Sequence, residues 1–301
     1  MKKGKIIAVA LVAALALTGV GYAVYNKVTT VDFGEIVIDG IPDKSDNSVR
    51  IMSFNVRCRD DKDGSVKNRS KIVSAIIDQY APDSFGVQEA TGKWMDILNE
   101  ALGEKYAFVG EARDETGYDS ELSAVFYLKD KYNLIDEGTI WLSETPEVKY
   151  TKSFDSACHR VATWAVLENK QTGERYTHLN THLDHVLEET RVCQIKVFID
   201  KLQQLQKDNK VVCTGDFNTE PTGEVYAEII KAAKDTATSA KNNDEGITFH
   251  NYGKIKEGSS GPIDYIFAPD DSKVELYKII RNKVKDMYPS DHYPIVSDIV
   301  F

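Results

Sequence analysis

The chain has 301 residues, 42% of them hydrophobic and 28% charged, a balance that excludes disorder over most of its length and supplies apolar material for one large core or two small ones. Its formal net charge is −10, and the first turn's worth of lysines, Lys2, Lys3 and Lys5, leaves the remainder more acidic still. A surface of that sign repels polyanions and anionic lipid, which disfavours tracking along a nucleic-acid backbone.

The lysines precede an uncharged run, Ile6 to Tyr25, long enough at about 1.5 Å per residue to cross roughly 30 Å of hydrocarbon. An uncleaved anchor fits that length better than a cleaved signal peptide, for which Val20-Gly21-Tyr22-Ala23 is a poor cleavage site. Positive residues ahead of the run favour an inside N-terminus and an extracytoplasmic remainder. The polar stretch Asp39 to Asn47 reads as linker. The expected organisation is therefore an anchor or signal segment over 1–26, a linker over 27–47 and a folded domain over 48–301.

Within the domain, β-type runs fall at Val49–Cys58, Ser84–Gln88, Leu122–Leu128, Leu134–Leu142, Val161–Leu167, Tyr176–Leu183, Val211–Gly215, Ile263–Ala268, Val274–Ile279 and Ile295–Phe301. Helical periodicity lies at Asn68–Tyr80, Gly92–Leu102, Glu188–Leu205 and Gly223–Ala233. Strands so numerous and helices so few fit two packed β-sheets with helices outside, an architecture that gathers strand ends at one rim. Four cysteines, Cys58, Cys158, Cys193 and Cys213, lack C-x-x-C spacing, so neither a zinc site nor a dense disulfide framework is expected.

Polar residues that terminate apolar runs make a short set: Asn55, Glu89, His182, Asp216, Asn218, Asp264 and the pair Asp291-His292. Alone, Asn55 is adequately a turn residue, Glu89 a carboxylate near a helix N-terminus, and His182 a hydrogen-bonded core histidine. Asp264 is harder to dismiss, because an acid flanked by Ile263, Tyr265, Ile266 and Phe267 is costly to bury without a partner. Together they supply hard oxygen donors suited to Mg²⁺ or Mn²⁺, with too few thiols and imidazoles for zinc.

In this order the runs SFNVR (Ser53–Arg57), GVQE (Gly86–Glu89), NTHLDH (Asn180–His185), GDFN (Gly215–Asn218), PIDYIF (Pro262–Phe267) and SDHYP (Ser290–Pro294) resemble the endonuclease/exonuclease/phosphatase superfamily. That superfamily includes pancreatic deoxyribonuclease, apurinic endonucleases, neutral sphingomyelinases, inositol polyphosphate phosphatases and deadenylases. The resemblance implies a four-layer α/β sandwich with two central, mostly antiparallel sheets and a site at one edge. It implies Asn55, Glu89 and Asp291 as metal ligands, His292 as the base oriented by Asp264, and His182 as a donor to a phosphoryl oxygen. Asp216 and Asn218 would position nucleophile and phosphate or hold a second metal. Glu121 would orient His182, and Arg160 would contact phosphate. His178, on the same face of its strand as His182, is expected to be structural.

The stretch Trp141–Pro146 followed by the Arg160 strand looks like the bacterial branch of phosphatases and phosphodiesterases. A small phosphorylated metabolite such as a sugar phosphate is the expected substrate. Extracytoplasmic cleavage of phospholipid head groups or nucleic acid is the alternative, and a catalytically silent binding domain is disfavoured because every expected catalytic position is filled. Nothing in the sequence speaks to oligomeric state.

Overall fold

The structure is a computed structural model that describes residues 30–45 and 47–301. The chain divides into two units, Met1–Gly34 and Glu35–Phe301, and the second holds every strand and helix named below. The expected anchor or signal segment, 1–26, lies outside the described residues; among the described ones no helix is long and apolar enough to cross a membrane.

From Glu35 the stretch read as linker is bonded to the domain. Ile38 is buried, its N–H donates to Gln79 Oε1 at 2.9 Å, and Gln79 Nε2 donates to Ile36 O at 2.7 Å. Arg50 Nη2 donates to Pro42 O at 3.0 Å. Backbone groups that find such partners do not behave as a solvated tether, and the folded body begins before Ser48.

The elements, in chain order, are β1 (Val49–Asn55), α1 (Val66–Tyr80), β2 (Ser84–Gln88), β3 (Ala90–Thr91), α2 (Gly92–Leu102), β4 (Tyr106–Val109), β5 (Glu121–Leu122), β6 (Val125–Leu128), β7 (Tyr132–Trp141), β8 (Val161–Asn169), β9 (Arg175–His182), α3 (Glu188–Leu205), β10 (Lys210–Asp216), α4 (Glu224–Ile229), β11 (Lys234–Asp235), α5 (Thr236–Ser239), β12 (Asp264–Ala268), β13 (Lys273–Ile279) and β14 (Ile295–Val300). One sheet runs β13-β14-β1-β2-β6-β4 and the other β11-β12-β10-β9-β8-β7, with helices on the outside.

Each sheet holds one parallel pair, β1 with β2 and β9 with β10, and every other named pairing within them is antiparallel. A parallel pair needs a crossover. Helices α1 and α3 supply one each. Helix α1 starts where Ser65 Oγ accepts from Asn68 N and stops at Ala81, whose φ of 46° leaves the helical region ahead of Pro82. Helix α3 buries Val192, Ile195, Phe198 and Leu202, a 3-3-4 spacing that keeps one face on the sheet. These side chains share a core with Val211, Cys213 and Phe217, while Ile51, Val125, Leu167, Val212, Ile266 and Ile295 fill the space between the sheets. Each fully buried aliphatic or aromatic side chain contributes about 1.5–3 kcal/mol.

A polar seam crosses this apolar middle. Asn180 Nδ2 donates to Val87 O at 2.9 Å and Ala124 O at 3.0 Å in the opposite sheet, and its Oδ1 accepts from Gln88 Nε2 at 2.7 Å and Thr214 Oγ1 at 2.9 Å. Only glycine fits opposite: a Cβ on Gly86 would stand 2.3 Å from Thr214 Oγ1. His178, fully buried, bonds Ser84 Oγ at 2.8 Å and Thr214 Oγ1 at 2.7 Å, the structural role expected of it.

Two features differ from the sequence reading. The run Leu122–Leu128 breaks into β5 and β6, because Ala124 turns its carbonyl to Val87 N and Asn180 in place of a ladder partner. Strand β4 escapes notice because it is four residues long at a sheet edge, where Phe108 faces outward and spoils the alternation.

Candidate active site

Parallel neighbours end at the same edge, so β1, β2, β9 and β10 deliver Asn55, Glu89, His182 and Asp216 together. The antiparallel partners start there: Asp264, first residue of β12, lies in register opposite Asp216, itself in register with His182. His292, just before β14, completes the edge. A cavity of about 540 Å³ opens among them, lined also by Asn218, Asp291, Arg57, Arg113, Arg160 and His185. Glu89, Asn218 and Arg57 hold positive φ of 59°, 50° and 62°. Non-glycine residues persist there only where surroundings over-determine them, which is common at functional sites.

The carboxylates are tied together by N–H donors. Asn55 Nδ2 donates to Glu89 Oε1 at 3.1 Å and to Asp216 Oδ2 at 3.0 Å, and Asn55 Oδ1 accepts from Arg57 N at 3.1 Å. Cys58 N donates to Glu89 Oε2 at 3.0 Å. Burial opposes the charge on Glu89, but that backbone N–H, His292 and Arg57 outweigh it and hold the carboxyl down to about 2. Asp216 is pushed the other way, by burial and by Asp264 beside it.

His292 Nδ1 lies 2.9 Å from Asp264 Oδ2, and its Nε2 is 3.7 Å from Asp216 Oδ2. Burial disfavours its charged form, yet Asp264, with Asp216 and Asp291, pushes the imidazole up to about 10. Phe249 walls one side, ring centroids 4.9 Å apart, on a loop anchored where Thr248 Oγ1 accepts from Ile263 N and Asp264 N. His182 Nε2 stands 3.5 Å from Asp216 Oδ2; burial and then Arg160 hold it well below its ordinary value, and its Nδ1 has no hydrogen-bond partner. Asn218 is fixed by its N–H to Asp216 Oδ1 at 3.0 Å and its amide to Leu183 O at 3.1 Å.

The expected pairing of Glu121 with His182 is not made. Arg113 takes both carboxylate oxygens of Glu121, at 2.6 and 3.0 Å, and that guanidinium fork fixes the carboxylate on the arginine. Arg160 lines the cavity, is 4% exposed and makes no ion pair with a carboxylate among the described residues; its Nη2 meets His185 Nδ1 at 3.2 Å and its Nε is unpartnered. His159 is half-buried away from the cavity lining. The sequence does not single out Arg57 or Arg113 as site residues. Arg57 sits inside SFNVR without a signal of its own, and Arg113 lies among Glu111, Asp114 and Glu115, where it looks solvated.

The donors suit a hard divalent cation. Glu89 stays ionised at neutral pH, Asp216, Asp264 and His292 bring ligand atoms within 4.8 Å of one another, and the Arg57 guanidinium stands in as a cation between Glu89 and Asp291, 3.9 and 3.5 Å from their oxygens. Asn55, with its N–H groups on two carboxylates and its carbonyl on Arg57 N, braces the site in this arrangement.

Residues 52–292 match the model of the Endonuclease/Exonuclease/phosphatase family. A structure of an endonuclease/exonuclease/phosphatase from Bacteroides vulgatus superposes with a TM-score of 0.79 at 31% identity, over 84% of this chain and 98% of that one. A mannosyl-6-phosphatase from Bacteroides thetaiotaomicron gives 0.78 at 28%, over 84% and 100%. The CCR4-Not complex 3′-5′-exoribonuclease subunit Ccr4 of Candida albicans is 23% identical over 258 residues, 72% of this chain but only 32% of that longer protein. With the family model spanning most of the chain and the fold shared over 84% of it, the protein belongs to the endonuclease/exonuclease/phosphatase family and is a metal-dependent phosphoesterase.

Proposed function

We propose that the protein hydrolyses a small phosphate monoester, a sugar phosphate in the first instance, with Mg²⁺ or alternatively Mn²⁺, outside the cytoplasm. The observation that carries the reading is Arg160: a buried guanidinium without a carboxylate partner costs several kcal/mol unless an anion joins it. It faces the cavity beside His182 and His185, where a phosphoryl group would be that anion. The likeness to a mannosyl-6-phosphatase supports a sugar phosphate, and the run Ile6–Tyr25 behind its lysines supports extracytoplasmic placement.

Glu89 and Asp291, with Asp216 beside them and Asn55 bracing Glu89 and Asp216, would hold the cation. Once bound, it would offset negative charge on the phosphoryl oxygens and on Asp216 and Asp291, two of the carboxylates that favour the charged imidazole of His292 beside Asp264. Asp264 fixes the tautomer by holding the proton on Nδ1, so Nε2 is the atom that accepts a proton from the attacking water. His182 donates to a phosphoryl oxygen, Asn218 and Asp216 position the nucleophile, and Arg160 draws the phosphate in.

The test is hydrolysis by the detergent-solubilised full chain, in Mg²⁺ with and without EDTA, of sugar phosphates, a generic phosphodiester, sphingomyelin and single-stranded and duplex nucleic acid. EDTA-sensitive phosphate release from a sugar phosphate supports the proposal. Cleavage confined to lipid or nucleic acid overturns the substrate.

A further inference from the structure

We propose that Arg57 is a built-in counter-ion that competes with the divalent cation for Glu89 and Asp291 and thereby sets how tightly the metal is held. The proposal rests on the metal reading given above. Its ground is a contrast between a fixed backbone and a loosely held head group. Arg57 N donates to Asn55 Oδ1 at 3.1 Å, and Arg57 O accepts from Trp94 Nε1 at 2.8 Å and Arg69 Nη2 at 3.0 Å, with φ at 62°. The stem is aimed by bonds at both ends of the residue.

The guanidinium lies within ion-pair distance of three carboxylates from three segments: Asp291 Oδ2 at 3.5 Å and Asp61 Oδ2 at 3.8 Å from Nε, and Glu89 Oε2 at 3.9 Å from Nη1. None of these is a hydrogen bond, and the buried Nε has no hydrogen-bond partner. Arg113 and Glu121, in the same cavity, show what a committed pair looks like, with two bonds of 2.6 and 3.0 Å. Arg57 therefore supplies positive charge without docking. Its attraction falls off slowly with distance, and its departure breaks no hydrogen bond. Two cations drawn to the same oxygens weaken one another's hold, reciprocally. In the metal-free site the arginine relieves repulsion between the carboxylates, and when metal enters it yields them.

The experiment is Mn²⁺ titration of the metal-stripped full chain by calorimetry, with no substrate present. Arg57→Gln is expected to bind Mn²⁺ at least about tenfold more tightly than wild type, because a like charge a few ångströms away has gone. Arg57→Lys, which keeps the charge, should stay within about threefold of wild type. The melting temperature of Arg57→Gln should gain more from Mn²⁺ than that of wild type. Arg57→Met serves as the neutral variant if the glutamine variant does not fold. Equal or weaker Mn²⁺ binding by the neutral variant, while Glu89→Gln loses binding, overturns the counter-ion and leaves the metal reading standing. Undiminished binding by Glu89→Gln overturns the metal reading and the counter-ion with it.

Discussion

His292 and Asp264 are locked together: Nδ1 to Oδ2 is 2.9 Å, both side chains are buried, and the other ring nitrogen is left facing Asp216. The carboxylate can hold only a protonated Nδ1, so it selects the tautomer in which Nε2 is free to take a proton. His292→Ala is expected to lower kcat at least about a hundredfold with the circular dichroism spectrum unchanged. Asp264→Asn should do comparable damage, since it removes the tautomer lock. Because the two act as one unit, the double variant should lose no more than about threefold beyond His292→Ala. Multiplicative losses in steady-state kinetics would separate their roles.

Arg160 makes the opposite bargain between stability and function. Its buried charge makes no ion pair with a carboxylate among the described residues, so an apolar side chain of similar length removes a desolvation cost. Arg160→Met is expected to melt higher than wild type and to bind inorganic phosphate at least about tenfold more weakly, by roughly the strength of one charge-assisted bond. Thermal melts with and without phosphate read both. A lower melting temperature with unchanged phosphate binding would make the arginine structural.

The parts of this site that were legible in the sequence are those where a polar residue breaks a buried strand. Asn55, Asp216 and Asp264 stand at ends of runs that, save for Val49 and Lys210 at the far ends of the first two, are buried throughout, and there a polar side chain needs a reason. The gathering of strand ends at one rim is expected in general terms, and the structure brings the ends of β1, β2, β9 and β10 to one edge because crossovers α1 and α3 make those pairs parallel. What stayed hidden depends on distance between loops. Nothing local says that Arg113 claims Glu121, since the two are eight residues apart across a turn and each looks solvated alone. Nor does spacing show that Phe249 covers His292, a contact made by an isolated bridge between distant segments.

Asn180, buried, ties the two sheets together through bonds to Val87 O, Ala124 O and Gln88 Nε2, and a fourth bond joins it to Thr214 on the neighbouring strand of its own sheet. Asn180→Ala takes a donor from Val87 O, while Ala124 O keeps Val87 N and Gln88 Nε2 keeps Ser53 Oγ, and is expected to cost at least about 1–3 kcal/mol, the range for a buried polar group left unpaired. Gly86→Ala drives a methyl group against Thr214 Oγ1 and Asn180 Oδ1 and should cost at least about 1–3 kcal/mol by overpacking. Urea denaturation gives both values. Losses under about 0.5 kcal/mol, the size of an ordinary surface change, would mean the seam is not needed to hold the sheets.

His178 gives the fold a pH dependence that can be isolated from the active site. Burial holds its imidazole down to about 3, so the native state keeps it neutral while the unfolded chain protonates it below about 6.5. Unfolding then takes up a proton, and stability falls as pH drops below about 6.5, by up to about 1.4 kcal/mol per pH unit for this residue. His292, raised by its carboxylates, stays protonated in the native state, so it adds a slope of the opposite sign near pH 6.5 that fades as the unfolded chain protonates, equally in wild type and variant. Glu89, held down to about 2, is ionised in the native state and loses its contribution only as pH falls below about 4.5. Asp216, whose carboxyl is raised, adds slope of the opposite sign over the same window. The difference between wild type and His178→Gln is therefore the informative quantity. Between pH 6.5 and 4.5 the variant, whatever its starting stability, should lose less per pH unit, by up to about 1.4 kcal/mol. Parallel stability curves from urea denaturation across that window would show that His178 titrates alike in the folded and unfolded chain, and that the seam admits its charge.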